Sequence, residues 1–152
     1  VSYATHMLEN YYDPFHKSLH KQIMYLYNIF GFCYHIDLHT MPSKALLNFK
    51  KEPDIVLGDN FGKSCSIGLI NYFQNVFQEN GFTVEVNNPY AGGFITRNYG
   101  NPSKGVHTIQ IEINRKIYMD ENKLSLKDMN IIQEIFAKIF NNLKLSDKIA
   151  AK

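Results

Sequence analysis

The chain has 152 residues, of which 45% are hydrophobic and 20% charged, and its formal net charge is +2. Its lysines are scattered and only Arg97 and Arg115 are arginines, which excludes the basic stripe of a nucleic-acid binder. No apolar run is long enough to span a bilayer. Two cysteines, Cys33 and Cys65, make no disulfide framework, and read as free thiols in a cytoplasmic, reducing setting.

The length predicts one domain that buries roughly two thirds of its unfolded surface. Leu8, Tyr12, Phe15, Leu19, Ile23, Leu26, Tyr27 and Phe30 recur at helical spacing. They predict helix over 1–30, interrupted or kinked at Pro14 and stopped at Gly31. His16 and His20 share a face of it, a metal-capable spacing without a carboxylate partner. The chain opens on Val1, inside helical sequence, and so reads as the later part of a longer protein.

Residues 32–39 alternate. Ile36 and Leu38 form one half of a period of two, and His35, Asp37 and His39 the other. This predicts a strand that carries polar ionisable groups and ends before Pro42. A loop over 40–53 follows, then a short buried strand over 54–58. The turn after it, Asp59 to Ser64, lacks the glycine spacing of a phosphate loop. A helix over 64–80 is expected, capped by Ser64 or Ser66, with Ile67, Ile70, Phe73, Val76 and Phe77 as its apolar stripe.

Residues 82–86 predict another strand. The segment 87–104 is rich in Gly, Asn and Pro and too long for a passive connection. It holds Gly92, Gly93 and Arg97, whose planar fork of donors suits a substrate carboxylate. A strand over 107–114 then places Ile109, Ile111 and Ile113 on one face and Thr108, Gln110, Glu112 and Asn114 on the other. Three isoleucines on one face predict a central strand. Glu112 then sits low in a cleft, where burial raises a carboxyl pKa. The last helix is expected from Ser125, with Asp128 in its first turn, through 143. The element order predicts an α/β fold with a mostly parallel sheet flanked by helices.

Five stretches, in this order, carry a resemblance. They are Tyr11-Tyr-Asp-Pro-Phe-His16, Ile36-Asp-Leu-His-Thr-Met-Pro42, Ile55-Val-Leu-Gly-Asp59, Gly92-Gly-Phe-Ile-Thr-Arg-Asn-Tyr-Gly100 and His107-Thr-Ile-Gln-Ile-Glu-Ile-Asn-Arg-Lys-Ile-Tyr-Met119. With them the chain resembles the N-formylglutamate amidohydrolase family, a distant branch of the zinc carboxypeptidase-like (phosphorylase/hydrolase-like) folds. The resemblance implies a metal-dependent amidase that releases formate from N-formyl-L-glutamate, a small acidic N-acylated amino acid, in histidine degradation. It implies Glu112 as the catalytic residue, His39 as a zinc ligand, and Arg97 with Asn98 in substrate binding. Asp37, on the face of His39, would orient an imidazole from the second shell.

Family members extend further at the N-terminus, where the first strands and the remaining metal ligands would lie. The chain alone is therefore expected to hydrolyse formylglutamate poorly and to self-associate through uncovered sheet. The alternative is an inactive or purely binding module of the same fold. A cysteine hydrolase is a third reading, because Cys65 follows a glycine-containing turn at a helix start, where a thiol pKa can fall.

Overall fold

A computed structural model describes residues 2–46, 52–127 and 129–143. The N-terminal helical region runs as α1 (Tyr3–Met7), one π-helical turn (Leu8–Tyr12) and α2 (Asp13–Phe30). Pro14 falls in the first turn of α2, where its missing N–H costs no hydrogen bond. The interruption expected there is thus a change of helical winding just before the proline. Gly31 ends α2, its amide donating to the Tyr27 carbonyl at 2.7 Å.

The sheet has four strands in the order β1-β4-β2-β3. These are β1 (Cys33–Met41), β2 (Ile55–Gly58), β3 (Val84–Val86) and β4 (Val106–Asn114). β1 pairs with β4 and β2 with β3 in parallel, while β4 and β2 run antiparallel. The sheet is therefore mixed and mostly parallel, as the element order predicts. All of β4 is buried, because it lies between β1 and β2, which makes it the central strand expected from its isoleucines.

The two faces of the sheet differ in chemistry. Ile109, Ile111, Ile113, Ile55 and Leu57 share one face and pack with α3 (Ile67–Glu79) and α5 (Asn130–Leu143). Phe73 and Phe77 of α3 are fully buried in this cluster, and truncating either to Ala costs about 3–5 kcal/mol. The opposite face carries the polar alternation of β1 and β4. Its two ends are closed by small apolar clusters. Ile23, Cys33, Tyr99 and Val106 join α2 and α4 (Phe94–Tyr99) at the strand starts. Met41, Leu46 and Val56, with Tyr90 against them, close the other end.

Several boundaries differ from those read in the sequence. Ser66 rather than Ser64 caps α3, its side chain accepting from the Leu69 amide. Ile67 is consequently the first helical residue and is exposed, and Leu69 takes its place in the buried stripe. The glycine-rich segment contains the short helix α4. Ser125 does not start the last helix. It pairs in a two-stranded ribbon of β5 (Met119–Asp120) and β6 (Ser125–Leu126), and α5 begins at Asn130. Asp128 and the chain beyond 143 lie outside the described residues. Among the described residues no helix is long and apolar enough to cross a membrane.

Candidate active site

The polar face is built by register. In the β1–β4 pair, His35 lies opposite Thr108, Asp37 opposite Gln110, and His39 opposite Glu112. On the far side of β4, Val56 lies opposite Glu112 and Gly58 opposite Gln110. Opposite residues share a face, so His39, Asp37 and Glu112 stand on one face of the sheet, as their alternation predicts.

Their side chains meet. His39 Nε2 lies 3.0 Å from Asp37 Oδ2, and His39 Nδ1 lies 3.7 Å from Glu112 Oε1. The imidazole is half exposed while Glu112 is buried. Burial pushes the Glu112 carboxyl above its ordinary range, and the neighbouring His39 and the Gln110 hydrogen bond pull it back only in part. A carboxyl so raised is a better proton acceptor when ionised, the property a general base needs. His35, beside the same face, is pushed downward by burial.

Gln110 is the member of this cluster to which the sequence assigned no role. Its Nε2 donates to Glu112 Oε1 at 2.8 Å, and its Oε1 accepts from the Gly93 amide at 2.7 Å. Its position two residues before Glu112 was a signal for a shared face. Its partner 17 residues upstream gave no such signal.

The Ala91–Gly92 backbone lies directly over Gly58 at the end of β2, and Gly92 is itself pressed against Thr96. A Cβ on Gly58 would sit 2.6 Å from the Gly92 nitrogen, and one on Gly92 (φ 109°) would sit 2.6 Å from Thr96 Cγ2. The turn after β2 buttresses this loop, because the Asn60 amide donates to the Ala91 carbonyl at 2.7 Å. Buried Asp59 holds that turn, its Oδ1 accepting from the Gly62 amide at 2.9 Å and from Asn87 Nδ2 at 2.7 Å. The sequence pointed to the glycine loop but not to this carboxylate clasp.

The structure places the other predicted residues as follows. Arg97 stands on α4 with an exposed side chain, its guanidinium donating to the Gly92 carbonyl at 3.2 Å. Asn98 lines a cavity of about 300 Å³ with His20, Tyr27 and Lys104, near the start of β4. His39 and Glu112 lie near its end. His16 is engaged with protein rather than poised beside His20, since its Nδ1 is 2.7 Å from the Tyr99 hydroxyl.

Catalytic zinc takes three protein ligands and keeps an open position. Among the described residues no three His, Cys, Asp or Glu side chains converge to hold a metal. His39 offers one imidazole, which falls short of that set. The cysteine reading finds no support, because Cys65 is buried and its thiol pushed up to about 12 by burial and by Asp59.

The sequence profile of N-formylglutamate amidohydrolase matches residues 1–119. The chain belongs to the N-formylglutamate amidohydrolase family. It is 35% identical over 118 residues to the N-formylglutamate deformylase of Pseudomonas putida, covering 76% of this chain and 44% of that protein. It is 33% identical over 116 residues to the N-formylglutamate deformylase of Pseudomonas aeruginosa, covering 75% and 44%. The crystal structure of N-formylglutamate amidohydrolase from Ralstonia eutropha JMP134 superposes with a TM-score of 0.80 at 29% identity, over 87% of this chain and 50% of that one. The chain thus spans about half the length of the relatives it matches.

Proposed function

We propose that this chain carries the general-base part of a site that hydrolyses N-formyl-L-glutamate to glutamate and formate. The observation that supports it most is the buried Glu112 carboxyl, its pKa raised by burial, set beside His39 on one face of the sheet. Glu112 takes the proton from the attacking water and delivers it to the departing amine nitrogen. Arg97 grips a carboxylate of the acidic substrate once its guanidinium leaves the Gly92 carbonyl, whereas Asn98, in the cavity at the start of β4, lies away from Glu112. Asp37, 3.0 Å from His39 Nε2, accepts that N–H and so leaves Nδ1 as the nitrogen with a lone pair. Carboxylate partners set the tautomer of metal-bound histidines in this way. On this reading His39 would offer Nδ1 to a zinc ion, which would supply a Lewis acid for the carbonyl and a water of lowered pKa.

The test is a chimera of the P. putida deformylase in which the matching segment is replaced by this chain, assayed for formate release. Turnover in the chimera, lowered at least about 100-fold by Glu112→Gln, is expected. Arg97→Lys should raise KM far more than it changes metal content, because the bidentate fork is lost and the charge kept. A folded chimera that deformylates equally well with Gln at 112 would overturn the assignment. The inactive-module reading predicts instead that the chimera, though folded, releases no formate.

A further inference from the structure

Gln110 holds a place between the two parts of this site. It is 4% exposed and therefore cut off from solvent partners. A backbone N–H can only donate, so the group facing the Gly93 amide at 2.7 Å must be the carbonyl oxygen of the Gln110 side chain. That fixes the orientation of the amide and turns its nitrogen toward Glu112, 2.8 Å away. Glu112 Oε1 is thereby bound as an acceptor, and the same oxygen faces His39. The local backbone is shaped for this link. Gly58, which lies opposite Gln110 in the β2–β4 pair, has no side chain to hold the loop away. Gly93 itself leaves room for the amide, since a Cβ there would meet Gln110 Oε1 at 3.3 Å.

We infer that Gln110 is a positioning residue, whose side-chain amide clamps Glu112 in one rotamer and registers the Gly92–Gly93 turn, and with it Arg97, against that carboxylate. The inference rests on the reading of Glu112 as the base, but the clamp is measurable without turnover. A link of this kind fixes the distance between the group that takes the proton and the group that holds the substrate, and errors near 1 Å in such distances are costly to rate. Replacing Gln110 by Met keeps its length and removes both hydrogen bonds.

The experiment is NMR on the labelled 152-residue chain. Scalar couplings across the hydrogen bonds, from Gly93 nitrogen to Gln110 Cδ and from Gln110 Nε2 to Glu112 Cδ, are expected in the unmodified protein. In Gln110→Met the Glu112 side-chain couplings should average over rotamers, and the Gly93 amide should exchange about tenfold faster. In the active chimera the same change should lower kcat about tenfold or more. Missing couplings in the unmodified chain would overturn the clamp even if the variant failed to fold. So would a folded Gln110→Met chain that keeps Glu112 in one rotamer. If the couplings are present but Glu112→Gln leaves deformylation intact, the base reading fails instead, and the catalytic role of Gln110 fails with it.

Discussion

Cys33 and Cys65 occupy positions that look chemically promising in the sequence and are inert in the fold. Cys33 is buried at the start of β1 and its thiol is pushed up by burial alone. For Cys65, burial is joined by the charge of Asp59, and the value reaches about 12. At pH 7 a thiol so raised stays protonated, and the thiolate is the nucleophile. A disulfide reagent such as DTNB should react with neither cysteine in the native chain over an hour, and with both in denaturant. Rapid native labelling of Cys65 would contradict its placement. At this scale the sequence was legible where alternation governs. The period of two assigned His35, Asp37 and His39 to one face, and Glu112 to the matching face of β4. It could not show that Gln110 bridges to Gly93, because that contact depends on where a loop folds back over Gly58.

Among elements, the long apolar segments were readable and the short ones were not. α3 and α5 declare themselves through buried stripes of isoleucine and phenylalanine. α4 has only six residues, too few for a stripe, and owes its position to Tyr99 and Thr96, which are buried beneath it. The ribbon of β5 and β6 has two residues in each strand and no alternation to detect.

The start of α3 is fixed by a contact with β4, on the face of the sheet that α3 covers. His107 of β4 is buried, and its Nδ1 accepts from the Ser66 amide at 3.0 Å. Burial holds the His107 pKa below its ordinary value. A depressed folded pKa means the unfolded chain binds more protons, so the stability it contributes is present above about pH 6.5 and is lost as pH falls through the folded value. Protonation at Nδ1 also removes the acceptor and buries a positive charge at a helix N-terminus, where the dipole is unfavourable to it. Exchange protection of the amides of residues 66–70 should therefore fall between pH 7.5 and pH 5.5. His107→Asn, which keeps an acceptor and cannot titrate, should flatten that dependence. Glu112 acts in the opposite sense. Its folded pKa is raised, so its contribution is full below the ordinary carboxyl range and is lost as pH rises through the raised value. Protection that falls equally in the Asn variant would detach the effect from His107.

On the scale of the whole molecule, the sheet is largely covered by helices on one face and has a long edge strand, β1. α3 and α5 cover the isoleucines of β4, while Leu38, at the β1 side of the same face, stays exposed. β1 lies at the end of the strand order and pairs only with β4 among the described strands. Its outer edge therefore presents the backbone groups of a nine-residue strand, a ready template for another strand. Leu38 on β1 is 53% exposed, and the helical region before it exposes Leu8, Tyr11, Tyr12, Phe15, Tyr25, Ile29 and Phe30. Of the apolar stripe that marks α2 in the sequence, only Ile23 is buried. The stripe was legible, but nothing among the described residues covers most of it, so pattern alone could not reveal its exposure. Exposed apolar side chains gathered on one helical region mark an interaction surface. The isolated chain should consequently self-associate. Sedimentation velocity is expected to show a rising weight-average mass between about 1 and 100 μM, the range in which exposed edges and apolar patches associate. Leu38→Lys places a charge on the strand that forms the open edge, a device by which natural sheets block edge pairing. That substitution should shift association upward about tenfold in concentration without altering the thermal transition, since an exposed leucine contributes little to the core. Phe15→Glu tests the helical face separately. If only the Phe15 variant dissociates the complex, the contact lies on the helical face and the β1 edge is silent. A chain that stays monomeric throughout that range would show that neither surface attracts a second copy.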